Sequence, residues 1–171
     1  LKVLRMSLQL SPSKANKFLD SLSIKPTAKF DHAGPDDEEL NNLLLALRGK
    51  LSKKTRRVLT IDARLKEISK RQDLKNVAEA GVSSADHMLR IRPWSAVLSE
   101  KPSVENSLLV LDKYIDRYKN YFEKNKDLLP QGYSMHDPDP RVLLLPGVGS
   151  ITTGENTKEG KMLADIAFHT H

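Results

Sequence analysis

Asp86 and His87 stand side by side, with Arg90 and Arg92 close behind. Histidine can move a proton or donate to an oxyanion near neutral pH, and a guanidinium fork matches phosphate geometry. Asp86, His87, Arg90 and Arg92 are therefore the candidate ligand site. The competing reading is structural: His87 packs on Trp94, and Asp86 pairs with Arg90 one helical turn later. Glycines at 147, 149 and 154 follow an apolar run, where phosphate-binding turns occur. A dinucleotide fingerprint needs glycine at 152, and Thr152 is there. Read as a P-loop, the stretch puts Glu155 where lysine must neutralise phosphate. A tight hairpin is the better reading. Five histidines, at 32, 87, 136, 169 and 171, offer no identifiable third ligand for zinc. There is no G-x-S-x-G motif, and no tyrosine stands four residues before a lysine, as a short-chain dehydrogenase requires. No catalytic residue, cofactor-binding residue or metal ligand is assigned.

The elements that must position these residues follow from periodicity. Residues 1–35 read as an N-terminal arm and linker, with Ser13 capping a short helix that carries Ala15, Phe18, Leu19 and Leu22. Residues 36–171 read as an α/β domain. Asp36 and Glu39 open a helix with an apolar stripe at Leu40, Leu43, Leu44 and Leu47, and Gly49 is expected to stop it. Arg57–Ile61 reads as a buried strand, followed by a polar helical stretch to about Ala80, where Gly81 breaks it. Ser84 is expected to cap the short helix holding Asp86 and His87; Pro93 ends it, and Trp94–Leu98 reads as a second strand. Val104, Leu108, Leu111, Ile115, Tyr118 and Phe122 alternate spacings of four and three, which predicts a long core helix capped by Ser103. Tyr114 and Tyr121 flank that stripe. Arg141–Leu145 and Ser150–Thr153 read as strands around a turn, and Thr157 is expected to cap a last helix. The sum is a layered α/β sandwich with a small, mostly parallel sheet flanked by helices, plus the N-terminal helical arm.

Composition narrows the function. The 171 residues contain no cysteine, which removes disulfides and thiolate chemistry and suits a reducing compartment. No segment resembles an export signal or a membrane span, so a cytoplasmic location is expected. Leu1 stands where a start would place Met, so the chain is expected to begin inside a longer product. The net charge of +6 makes polyanions a class to weigh, and Lys50, Lys53, Lys54, Arg56 and Arg57 form the densest basic run. Aromatics are only 5% of the residues and lie mostly elsewhere, so a solvated helix end is favoured over a nucleic-acid surface.

Several blocks recur together in one family. They are Ala46-Leu47-Arg48-Gly49, Arg56 to Leu59, Ala85 to Arg90, Tyr114 to Phe122, Asp139-Pro140-Arg141 through Gly149, and Ala164-Asp165-Ile166 with His169-Thr170. In this order, over residues 44–171, they resemble the central region of the bifunctional rhamnulose-1-phosphate aldolase/short-chain alcohol dehydrogenases. Departures fall at Ser84-Ala85, where the family shows Thr-Pro, and at Ile91-Arg92, where it shows Thr-Lys. The resemblance implies a fragment of an enzyme that cleaves a ketose 1-phosphate and oxidises an aldehyde or alcohol. That parent enzyme would use NAD(P) and zinc, neither held by this stretch. The implied partners are its remaining domains, with self-association open and neither membrane nor nucleic acid expected. Two other readings stand beside it: a stand-alone module for a phosphorylated sugar using His87, Arg90 and Arg92, and a nucleic-acid binder using Lys50 to Arg57.

Overall fold

A computed structural model describes residues 35–171. The arm expected over 1–35 lies outside these residues, apart from Pro35. The elements are α1 (Asp37–Leu51), β1 (Val58–Asp62), α2 (Lys66–Ser69), α3 (Leu74–Glu79), α4 (Ala85–Ile91), β2 (Ala96–Val97), α5 (Val104–Asn125), β3 (Val142–Leu145), β4 (Gly149–Gly154) and α6 (Thr157–Thr170). One-turn 3-10 segments precede α2 and follow α5.

The four strands form one sheet in the order β1-β4-β3-β2, with helices on both faces. The α/β sandwich is as the sequence predicts, but the sheet is mostly antiparallel rather than mostly parallel. β1 and β3 both run antiparallel to β4, from Val58 opposite Gly154 and from Val142 opposite Thr152. Only β2 and β3 are parallel. The cause is local: a turn closed by Val148 N–H donating to the Leu145 carbonyl reverses the chain between β3 and β4. The β2–β3 link contains a 22-residue helix, the kind of crossover a parallel pair needs.

Every residue of β3 is buried because both faces are covered. Leu143 and Leu145 pack with Leu43, Leu47 and Leu51 of α1 and Leu111, Tyr114 and Tyr118 of α5. Val142 and Leu144 point the other way, to Leu163 and Ala167 of α6 and Ile91 of α4. Asp36 caps α1 as predicted, accepting from Glu39 N–H at 2.9 Å. Gly49 does not stop α1, which runs on to Leu51 and is capped by Ser52. Burying Leu51 offsets the roughly 1 kcal/mol helix penalty of the glycine.

The long helix is present, with Ser103 capping it through Asn106 N–H. Its core face is Ser107, Leu111, Tyr114 and Tyr118, rotated from the predicted stripe. Ile115 is half-buried and Val104 exposed. Tyr114 can go inside because its hydroxyl donates to the Trp94 carbonyl at 2.9 Å. α6 is capped by Asn156 rather than Thr157: the Asn156 backbone is extended, and its side chain accepts from Glu159 N–H.

Candidate functional site

Ser84 caps α4 as predicted, its Oγ lying 3.3 Å from His87 N and 2.6 Å from His87 Nδ1. The imidazole is therefore held by its own helix cap, and the Trp94 ring packs edge-on against Tyr121 instead. Asp86 and Arg90 form an exposed ion pair at 3.2 Å, the ordinary i, i+4 arrangement, worth about 0.3–0.5 kcal/mol at most. Arg92 is used elsewhere. Its Nε donates to the Asp137 carbonyl at 3.1 Å, its Nη1 to the Leu89 carbonyl at 3.0 Å, and its guanidinium lies over the Tyr118 ring. The structure thus brings Asp86, His87 and Arg90 onto one short helix and turns Arg92 toward α5 and the loop at 137.

Arg92 is also the only non-glycine residue with positive φ among the described residues, at φ 72° and ψ 171°. That region is close to glycine-only, and holding a side chain there costs of order 1–3 kcal/mol. Its position before Pro93, which disfavours helical backbone, was the available sequence signal for a break. The conformation itself was not legible.

A second constellation, missed from sequence, gathers around the Asp137-Pro138-Asp139-Pro140-Arg141 loop. Arg57, only 4% exposed, places Nη2 2.5 Å from Asp137 Oδ2 and Nη1 3.6 Å from Glu155 Oε1. Arg141 donates to the Thr153 carbonyl at 3.1 Å and faces Glu159 at 3.8 Å. Thr153 Oγ1 donates to the Pro140 carbonyl, and Thr153 N–H to the Arg141 carbonyl. Asp137 is held twice, its carboxylate by Arg57 and its carbonyl by Arg92. Burial pushes the Asp139 carboxyl above the usual carboxylate range, and the Asp137 charge pushes it further. Burial lowers the Arg141 guanidinium, helped by the charges of Arg57 and Arg92. The sequence signal was the loop itself; the basic run hid Arg57 among exposed lysines. Within that run, Lys50 pairs with Asp112 at 2.5 Å while Arg57 turns inward.

The glycines after β3 serve packing. A Cβ on Gly149, at φ 128°, would lie 2.3 Å from the Asp62 carbonyl oxygen of the paired strand. A Cβ on Gly154 would lie 2.6 Å from the Gly160 nitrogen. The histidines are dispersed: His171 contacts Ser95 Oγ at 2.8 Å, with burial lowering its pKa, while His169 is exposed beside Phe168. Among the described residues no three of His, Cys, Asp or Glu are arranged to hold a metal ion. No helix among them is long and apolar enough to cross a membrane.

No curated protein and no solved structure matches the chain. A family model does: aldolase class II, second domain, matched over residues 38–171, which takes in every strand and helix described above except the first residue of α1. The chain belongs to the class II aldolase second-domain family.

Proposed function

We propose that this domain is a structural and assembly module of a cytoplasmic bifunctional enzyme. The parent would join a class II ketose 1-phosphate aldolase, of rhamnulose-1-phosphate type, to a short-chain dehydrogenase. Zinc and NAD(P) would be held by the other domains, which are also this domain's partners. The observation that carries the reading is how the charged groups of the Asp-Pro-Asp-Pro-Arg loop are used. Arg57 and Arg141 are directed at the chain's own carboxylates and carbonyls, fastening the loop that enters β3 to β4 and the α6 start. Guanidiniums directed at carboxylates of their own chain in this way support a role in holding the loop in place.

The test compares the 171-residue chain with the protein that contains it. The chain, supplied with zinc and NAD(P)⁺, is expected to give neither aldol cleavage of a ketose 1-phosphate nor dinucleotide reduction, and the parent to give both. Turnover by the chain alone above a buffer blank refutes the module reading. A parent lacking dehydrogenase activity refutes the fusion.

A further inference from the structure

Met88 and Leu89 of α4, the second half of α5 and the loop at 129–136 surround a cavity of about 170 Å³. Tyr118, Tyr121, Phe122 and Tyr133 supply aromatic walls, and Arg92 supplies a cation. An apolar cavity of about 150 Å³ is enough to take up benzene, so this one holds a single six-membered ring.

Arg92 sets the chemistry. It is 5% exposed, yet among the described residues it pairs with no carboxylate. Among the described residues its acceptors are two neutral carbonyls, which occupy Nε and one hydrogen on Nη1. Burying a guanidinium without a counter-charge is costly, and the strained backbone at φ 72° adds to that cost. Arg57, the other buried arginine among the described residues, faces two carboxylates. Arg92 therefore retains donors and a positive charge at an aromatic cavity that contains no acidic side chain.

We propose that this cavity is a binding site for a small aromatic carboxylate. The ring sits among Tyr118, Tyr121, Phe122 and Tyr133, and the carboxylate takes the free guanidinium donors of Arg92. Bare phosphate leaves the aromatic walls unused, and a sugar would have to strip several hydroxyls of water against them. Burial raises the Tyr118 phenol, which keeps it a neutral donor in the working range. The inference stands apart from the aldolase–dehydrogenase fusion, since it concerns this chain's own cavity.

Trp94 is the only tryptophan in the chain, and its ring meets that of Tyr121 edge-on at 5.3 Å, so its fluorescence reports on the cavity wall. The whole chain is titrated with benzoate at constant ionic strength, in parallel with benzyl alcohol and inorganic phosphate. Benzoate is expected to give a saturable change, benzyl alcohol a weaker one and phosphate none. Arg92→Gly suits the backbone and removes the cation, so benzoate should bind roughly 10- to 100-fold more weakly. If that variant does not fold, Tyr133→Ala decides: this half-exposed rim residue lies outside the core, and its loss should weaken binding about 2- to 10-fold. Lys119→Ala, outside the cavity, should bind as wild type does. No saturable response to benzoate, an equal response to phosphate, or full affinity in Tyr133→Ala overturns the proposal.

Discussion

Gly160 sits in the first turn of α6 against β1, and a Cβ there would lie 2.3 Å from Thr60 Oγ1 and 3.2 Å from Thr60 Cβ. The same turn is fixed to β4 by Thr152 Oγ1 donating to the Gly160 carbonyl at 2.7 Å, so the helix cannot simply slide away. Two effects oppose each other in Gly160→Ala. Alanine is the better helix former, by up to about 1 kcal/mol. Overpacking a filled contact costs typically about 1–3 kcal/mol. The closer obstacle is the threonine hydroxyl, which Thr60→Ala removes, leaving only the Cβ contact at 3.2 Å, where a shift of a few tenths of an ångström suffices. Gly160→Ala alone should therefore destabilise by about 0–2 kcal/mol, whereas in a Thr60→Ala background the same change should be neutral or stabilising by up to about 1 kcal/mol. The signature is a coupling free energy of about 1–3 kcal/mol between the two positions. Urea unfolding of the four proteins, with a common m-value, measures it. Additivity within about 0.5 kcal/mol would refute the close approach of α6 to β1.

Leu111→Ala should cost about 2–5 kcal/mol because its side chain is fully buried between α1 and the sheet, while half-buried Ile115 should cost clearly less and Lys119→Ala almost nothing; equal losses at 111 and 115 would restore the stripe predicted from sequence. Asp139 has a folded pKa above its unfolded value, so the native state holds the extra proton and stability falls as pH rises through that window. Asp139→Asn should accordingly raise the melting point at neutral pH, with the gain fading below the ordinary carboxylate range; a pH-independent difference would contradict the assignment to burial. Arg90→Ala should leave stability within about 0.5 kcal/mol, and phosphate should protect wild type no better than chloride at equal ionic strength. Phosphate-specific protection lost in the variant would instead establish Asp86, His87 and Arg90 as an anion site.

Elements whose signal is local were legible in the sequence. Asp36, Ser84 and Ser103 cap their helices through the side-chain oxygen that capping requires, and each is the residue the pattern indicates. The β3–β4 turn was readable because a short apolar run, a Pro-Gly pair and a second run leave few alternatives. What failed depended on distant residues. Gly49 stays helical because Leu51 has a core to enter, and Tyr114 joins the core face because Trp94, twenty residues earlier, offers a carbonyl. Sheet direction is not legible in the sequence for a related reason. Strand–helix alternation suggests parallel pairing, but β1 reaches β4 only through contacts some ninety residues apart.

The same distinction explains the four residues singled out as a ligand site. Asp86, His87, Arg90 and Arg92 are close in sequence, and a helix drawn from that spacing puts the first three within reach of one another. It cannot foresee that the chain leaves the helix at Arg92 with positive φ, swinging that guanidinium across to Asp137 and Tyr118. Once there, Arg92 joins Arg57 in holding a single aspartate, one by its carbonyl and the other by its carboxylate. Removing Arg57 should then cost more than a surface ion pair, about 1–3 kcal/mol, because it leaves the partly buried Asp137 carboxylate without its guanidinium partner beside a half-buried Asp139. Arg57→Ala with Asp137→Asn should recover part of that loss, since the amide carries no charge to strand. Full additivity of the two changes would mean that the loop is held by its prolines and backbone alone, and that the arginines are incidental to the fold.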